Sequence, residues 1–267
     1  MTTRAAGQLP RVLAVPALLG LVLLVAPLVA LVARVRWDTV WADITAPETL
    51  EALWLSVRTA LLATAICLIL GVPLAVLIAR SARSVAAVLR ALVTIPLVLP
   101  PMVGGVALLF LFGQSGPVGQ WLARQGVEIP FTTTAVVLAQ VFVALPFLVL
   151  ALEGSLRSTG TDYELAAAGL GAGRWRILWR VTLPLAAPGL VAGTVLCFAR
   201  AVGEFGATAL FAGNAPGITR TMPLAIYTAF NGSGLAQGPA VALSLLLLVT
   251  AVAVLLLVRA WRPGAVR

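Results

Sequence analysis

Histidine and lysine are both absent from this chain of 267 residues, so all 18 of its basic side chains are arginine. Without histidine the usual haem and zinc ligands and the commonest proton relay are missing. Without lysine there is no phosphate-binding loop, whose lysine must reach the terminal phosphates, so any ATP hydrolysis belongs to another subunit. Cysteine occurs twice, as Cys67 and Cys197, both inside apolar runs, where they read as small apolar fillers and not as a disulfide framework. No nucleophile or metal constellation of an enzyme can be assembled from such a set. Charge is scarce as well: 10% of residues are charged against 61% hydrophobic, which excludes a soluble globular protein and indicates a helical membrane protein. Gly169, Gly171 and Gly173 resemble a nucleotide fingerprint only loosely, because the spacing is wrong and no strand precedes them.

What is present is apolar length. Six runs are each long enough to cross a hydrocarbon core of about 30 Å as a helix. They are Val12 to Ala33, Thr59 to Ala79, Ala91 to Phe112, Thr134 to Leu152, Gly189 to Ala212, and Ala240 to Val258. The expected fold is an all-α integral membrane protein: a six-helix domain over residues 12–258, with tails at 1–11 and 259–267. Arg4 and Arg11 ahead of the first run suggest a signal peptide, but its 22 residues exceed a typical signal core, which favours a retained helix. With the N-terminus in the cytoplasm, the inner segments hold twelve arginines: Arg4, Arg11, Arg80, Arg83, Arg90, Arg157, Arg174, Arg176, Arg180, Arg259, Arg262 and Arg267. The outer segments hold five: Arg34, Arg36, Arg58, Arg124 and Arg220. That asymmetry places both termini on the cytoplasmic side of a membrane that the chain crosses several times. The net charge of +9 then reflects topology and acidic membrane lipid, not nucleic acid, for which no motif is present.

Between the fourth and fifth runs lies a polar hairpin, residues 161–184, on the cytoplasmic side. Thr161 followed three residues later by Glu164 reads as a capping box, with Asp162 adding favourable charge at the helix start. Ala166, Ala167 and Ala168 propagate the helix, and Gly169 and Gly171 end it. A helix of about two turns does not persist alone, so something must hold it. Beyond it, Trp175 and Trp179 share one stripe and Arg176 and Arg180 the next, a pattern suited to the lipid boundary. An ordinary membrane-surface loop fits the same local pattern.

Two of the apolar runs are irregular. The third contains Pro96, Pro100, Pro101, Gly104 and Gly105, and prolines leave backbone carbonyls unpaired that lipid does not tolerate. A pathway-lining broken helix and a kink buried between helices both satisfy this. The fifth contains Arg200 and Glu204, four apart on one face, where an unpaired charge costs about 2.5 to 3.5 kcal/mol on insertion scales. The pair either lines a pathway or neutralises itself and helps packing; Gly203 and Gly206 beside it permit close helix approach. After this run comes an outer loop, Gly213 to Pro223, rich in turn formers, which serves either as a docking surface or as a plain solvated turn.

The hairpin resembles the cytoplasmic "EAA" loop of ABC-importer permeases, with Ala166-Ala167, Gly171, Val181, Leu183-Pro184 and Pro188 at the family spacing. Leu165 stands at the family's usual glutamate position, with Glu164 one residue earlier. Pro96 to Pro101, Gly203 to Thr208, and Asn214 to Tyr227 resemble the molybdate branch, with sulfate and thiosulfate permeases as neighbours and tungstate as a second substrate of the same route. The likeness runs over about residues 53–259. It implies a homodimer of this chain, two ATPase subunits carrying ATP and Mg, an external oxyanion-binding protein, and no cofactor or metal on this chain. It further implies that Thr161 and Glu164 set the start of the coupling helix, that Ala166, Ala167, Gly171 and Pro184 serve contact with the ATPase, and that Asn214, Thr219, Arg220 and Pro223 face the binding protein. Pro100, Pro101, Gly104, Arg200, Glu204, Phe205 and Gly206 would form the pathway or its gate. A carrier driven by an ion gradient is the rival reading; it needs internal repeats and buried ion sites, for which only Glu204 qualifies.

Overall fold

The structure is a computed structural model that describes residues 13–232 and 238–260. The N-terminal tail 1–11, Val12 and the C-terminal residues 261–267, with Arg4, Arg11, Arg262 and Arg267, lie outside the described residues. Every regular element among the described residues is helical. Helix α1 (Ala14–Ala33) has no buried residue and runs along the outside. A short α2 (Val40–Thr45) leads into α3 (Pro47–Arg80), which starts on a proline at its first turn, where the missing N–H costs nothing. At 34 residues α3 is about 51 Å long, and it begins twelve residues before the expected Thr59.

The third run is broken. Helix α4 (Arg83–Val98) and α5 (Pro101–Phe112) meet at 110°. Leu99 and Pro100 each precede a proline, and the Cδ of the following ring drives each out of the helical region, to ψ 135° and 134°. After α6 (Pro117–Ala123) comes α7 (Thr133–Thr159), capped by the Thr132 hydroxyl, which accepts the Ala135 N–H at 3.3 Å. It continues seven residues past the expected Leu152. The hairpin is α8 (Asp162–Gly169), α9 (Arg174–Ile177), a π-helical turn (Leu178–Thr182) and α10 (Leu183–Leu185). Its second half bends by 73° into α11 (Ala187–Val202). A break at 203–205 leads to α12 (Gly206–Phe211), then α13 (Met222–Gly232) and α14 (Gly238–Ala260). Among the described residues three helices (α1, α3, α7) are long and apolar enough to cross a membrane unbroken, or up to five spans if each bent pair counts as one. The expected fifth run falls on α11 and α12 with the break between them, and the expected sixth on the shorter apolar stretch of α14.

Helix α7 lies at the centre because small residues let its neighbours approach closely. Ala60, Ala63 and Cys67 of α3 meet Val137, Val141, Ala144 and Leu148 of α7 and Cys197, Ala201 and Val202 of α11 in one buried cluster. A Cβ at Gly189 of α11 would lie 2.2 Å from the Ser155 Cβ, so the two backbones touch only because that atom is missing. Cys67 and Cys197, far apart in sequence, share this cluster as free buried thiols. A second cluster joins α7 to the broken spans through Leu108, Ala139, Val143, Ala207 and Phe211.

Candidate functional site

The two breaks meet each other. A Cβ on Gly206, the first residue of α12, would stand 2.8 Å from the Pro101 Cβ, and one on Gly105 would stand 2.8 Å from the Ala207 carbonyl oxygen. Gly104 faces the Phe142 ring of α7 at 3.0 Å on the same measure. Pro101, Gly206 and Gly104 are therefore gathered at one junction, with Pro100 exposed at its edge.

Glu204 sits in the break between α11 and α12 with 1% exposure. One carboxylate oxygen pairs with Arg200 at 2.6 Å and the other accepts the Ala207 N–H at 2.8 Å, inside the first turn of α12. The anion thus lies at the positive end of α12 and beside a guanidinium, so the junction carries two charges and no net charge. The adjacent Phe205 packs its ring 5.1 Å from that of Tyr227 on α13.

Sequence reading missed two polar features. Glu153, buried in α7, pairs with Arg90 of α4 at 2.5 Å and with Arg157 at 2.8 Å. Its four-residue spacing from Arg157 was the available signal, lost because Glu153 falls just past the apolar run. Gln140 is also fully buried in α7, between neighbours that belong to the two clusters.

In the hairpin, Thr161 precedes α8, but its side chain makes no capping bond. The expected capping box is not formed. Glu164 turns instead to Arg80, the last residue of α3, at 2.5 Å, and accepts the Thr182 hydroxyl at 2.8 Å. A guanidinium and a hydroxyl outcompete the cap amide for this carboxylate. The helix end follows expectation at Gly171, whose φ of +82° opens a Schellman motif: Ala172 N–H reaches Ala167 O at 3.0 Å and Gly171 N–H reaches Ala168 O at 2.9 Å. Gly169 is ordinary helix. Ala166 is exposed and Ala167 half-buried, on the side of Glu164, and Pro184 is exposed. Tyr163, Leu165, Leu170 and Trp175 are all more than 60% exposed, which leaves the hairpin with an apolar outer surface.

The loop after α12 lies at the opposite end of α7, where Thr133 donates to the Ile218 carbonyl at 2.9 Å. Asn214 is exposed and braced by Arg220 at 3.0 Å and by Thr228 at 2.8 Å. Thr219, expected to face a partner, is instead fully buried; its hydroxyl accepts the Ala215 N–H at 2.9 Å and closes the turn from inside. Arg220 and Pro223 are half-buried, and Arg220 borders a cleft of ≈ 330 Å³ with Asp43, Glu48, Thr49 and Thr228.

Residues 71–266 match the family described as "Binding-protein-dependent transport system inner membrane component". The chain belongs to that family. Among its relatives is the "Molybdenum transport system permease protein ModB" of Mycobacterium tuberculosis, 52% identical over 256 residues and 96% of each chain. The protein of the same name from Escherichia coli is 41% identical over 198 residues, 74% of this chain and 86% of the relative. The "Sulfate transport system permease protein CysW" of Escherichia coli is 39% identical over 180 residues, 67% of this chain and 62% of the relative. The fold is also that of a bacterial alginate ABC transporter solved with its pentasaccharide-bound periplasmic protein, at a TM-score of 0.70 and 16% identity, covering 96% of both chains. As an inner membrane transport component, this chain is a multi-pass membrane protein whose family members translocate and are not catalytic enzymes.

Proposed function

We propose that this chain is the permease subunit of an ATP-driven molybdate importer. It works as a homodimer with two ATPase subunits that carry ATP and Mg, and takes the anion from an external binding protein. The observation that carries the reading is the 52% identity over 96% of both chains to a molybdenum permease, against 39% over 67% of this chain for a sulfate permease. The geometry supports a mechanism. The hairpin offers the ATPase an apolar knob, the arginine asymmetry supports cytoplasmic termini on the hairpin's side, and the loop at the far end of α7 receives the binding protein through Asn214 and the rim of the Arg220 cleft. Closure of the ATPase pair drives the hairpin, turns the broken spans outward to accept anion, and hydrolysis resets them.

The neutral Arg200–Glu204 junction suits a path. A dianion held tightly at mid-membrane would not leave, so selectivity belongs to the binding protein. The test is uptake of labelled molybdate by proteoliposomes holding the whole complex, with sulfate and tungstate as competitors. ATP-dependent uptake that tungstate lowers and sulfate leaves unchanged is expected. Uptake by this chain alone, driven by an ion gradient, would overturn the reading in favour of a carrier, and sulfate competition at equal concentration would move the substrate to sulfate.

A further inference from the structure

Resting on that reading, we propose that Glu164 is a positioning residue acting inside this chain: through Arg80 it latches the coupling helix α8 to α3, and it is not a contact to the ATPase. Two distant segments converge on it. Arg80, at the very end of α3, donates to Glu164 Oε1 at 2.5 Å and to the Gly160 carbonyl at 3.3 Å, so one guanidinium holds both the first turn of α8 and the chain entering it. Thr182, in the π-helical turn that leads back to the membrane, donates to the same Oε1 at 2.8 Å. Both members of the ion pair are about three-quarters shielded, at 26% and 21% side-chain exposure, so water competes for them less than at an open surface.

The neighbours point the other way. Tyr163 and Leu165, on either side of Glu164, are 64% and 67% exposed. The outer face of α8 therefore meets a partner with apolar groups while its carboxylate faces inward. An eight-residue helix is too short to be a stiff lever by itself. The latch makes it one by joining it to two elements that reach the far side of the molecule. Helix α3 extends to Ser56, whose hydroxyl accepts the Met222 N–H at 2.7 Å at the start of α13, and the Thr182 turn leads through α10 and α11 to the Arg200–Glu204 junction. A push on α8 is thereby divided between the straight helix and the broken one.

The test uses the complete complex and, separately, the full chain alone in lipid nanodiscs. Glu164→Gln and Arg80→Glu are compared with the exchange variant Arg80→Glu/Glu164→Arg. In the complex, each single variant should still co-isolate the ATPase and lower molybdate taken up per ATP hydrolysed, by about threefold or more, and the exchange should restore most of it. In the nanodiscs, amide hydrogen exchange across residues 162–169 should be about fivefold faster in each single variant and slow again in the exchange variant. The latch is overturned if Glu164→Gln leaves both readouts unchanged. It is equally overturned if Glu164→Gln abolishes ATPase co-isolation without altering amide exchange, which would put the carboxylate at the ATPase. Should the wild-type chain bind no ATPase at all, the importer reading fails, while amide exchange in the nanodiscs still decides whether Glu164 and Arg80 hold α8.

Discussion

A carboxylate buried near the end of a membrane helix is stable only while its charge is matched, and Glu153 has two arginines for that purpose, Arg90 from α4 and Arg157 from its own helix. The carboxylate is almost completely buried and both arginines are partly exposed, so the three are not equivalent. Removing Glu153 leaves two cations facing each other, whereas removing Arg157 leaves the Arg90 pair intact. Glu153→Ala should therefore cost about 2 kcal/mol of stability and Arg157→Gln much less, a difference read from thermal unfolding in detergent. Equal melting temperatures for the two variants would refute the ordering. The same contrast explains what could be read from sequence at this scale. Arg200 and Glu204 were legible as a pair because they stand four residues apart, and the pairing holds although Glu204 lies in the break just past the end of α11. The partner of Glu164 was not, since Arg80 lies 84 residues away and a nearby capping partner satisfied every local rule.

At the scale of elements, the break of the third span was legible because it is a covalent matter: two successive residues precede proline, and neither can stay helical. The start of α3 was not, because Glu48, Glu51 and Arg58 interrupt its apolar pattern while the helix runs on through them. The π-helical turn at Leu178–Thr182 carries no composition signal, and it is what carries Thr182 into reach of Glu164. The end of α8 gives a prediction. Gly171 has open space where a Cβ would go, so a side chain there meets no steric wall, but its φ of +82° strains any residue other than glycine by about 1 to 2 kcal/mol, with asparagine the mildest. Gly171→Asn should retain most uptake, while Gly171→Val and Gly171→Trp should leave the permease in the membrane with its ATPase hydrolysing ATP uncoupled from transport. Normal molybdate uptake by Gly171→Trp would show that the shape of the α8 terminus is irrelevant to coupling.

At the scale of the whole molecule, the broken spans of one chain open outward. Its centre is closed by the alanine-rich contacts of α3, α7 and α11, and the junction of the broken spans comes to the surface at Pro100, Pro101 and Met102. On the same helix Val103, Val106 and Phe110 are exposed, so the element that begins at the junction also presents an uncovered apolar face. An anion drawn through the bilayer along that face would meet hydrocarbon unless another protein surface covered it, and in the homodimer proposed above a second copy of the chain would supply such a surface by symmetry. Helix α1 also exposes apolar residues along its whole length, but no charged residue falls within Ala14–Ala33, and lipid satisfies it. The two faces should therefore behave differently under cross-linking. In a background where Cys67 and Cys197 are replaced by alanine, Val106→Cys should give a disulfide-linked dimer on oxidation in the intact membrane, and Leu19→Cys on α1 should remain monomeric. A Val106→Cys chain that stays monomeric while Leu19→Cys dimerises would move the subunit interface to α1 and leave the junction facing lipid, where a translocation path along it is physically untenable.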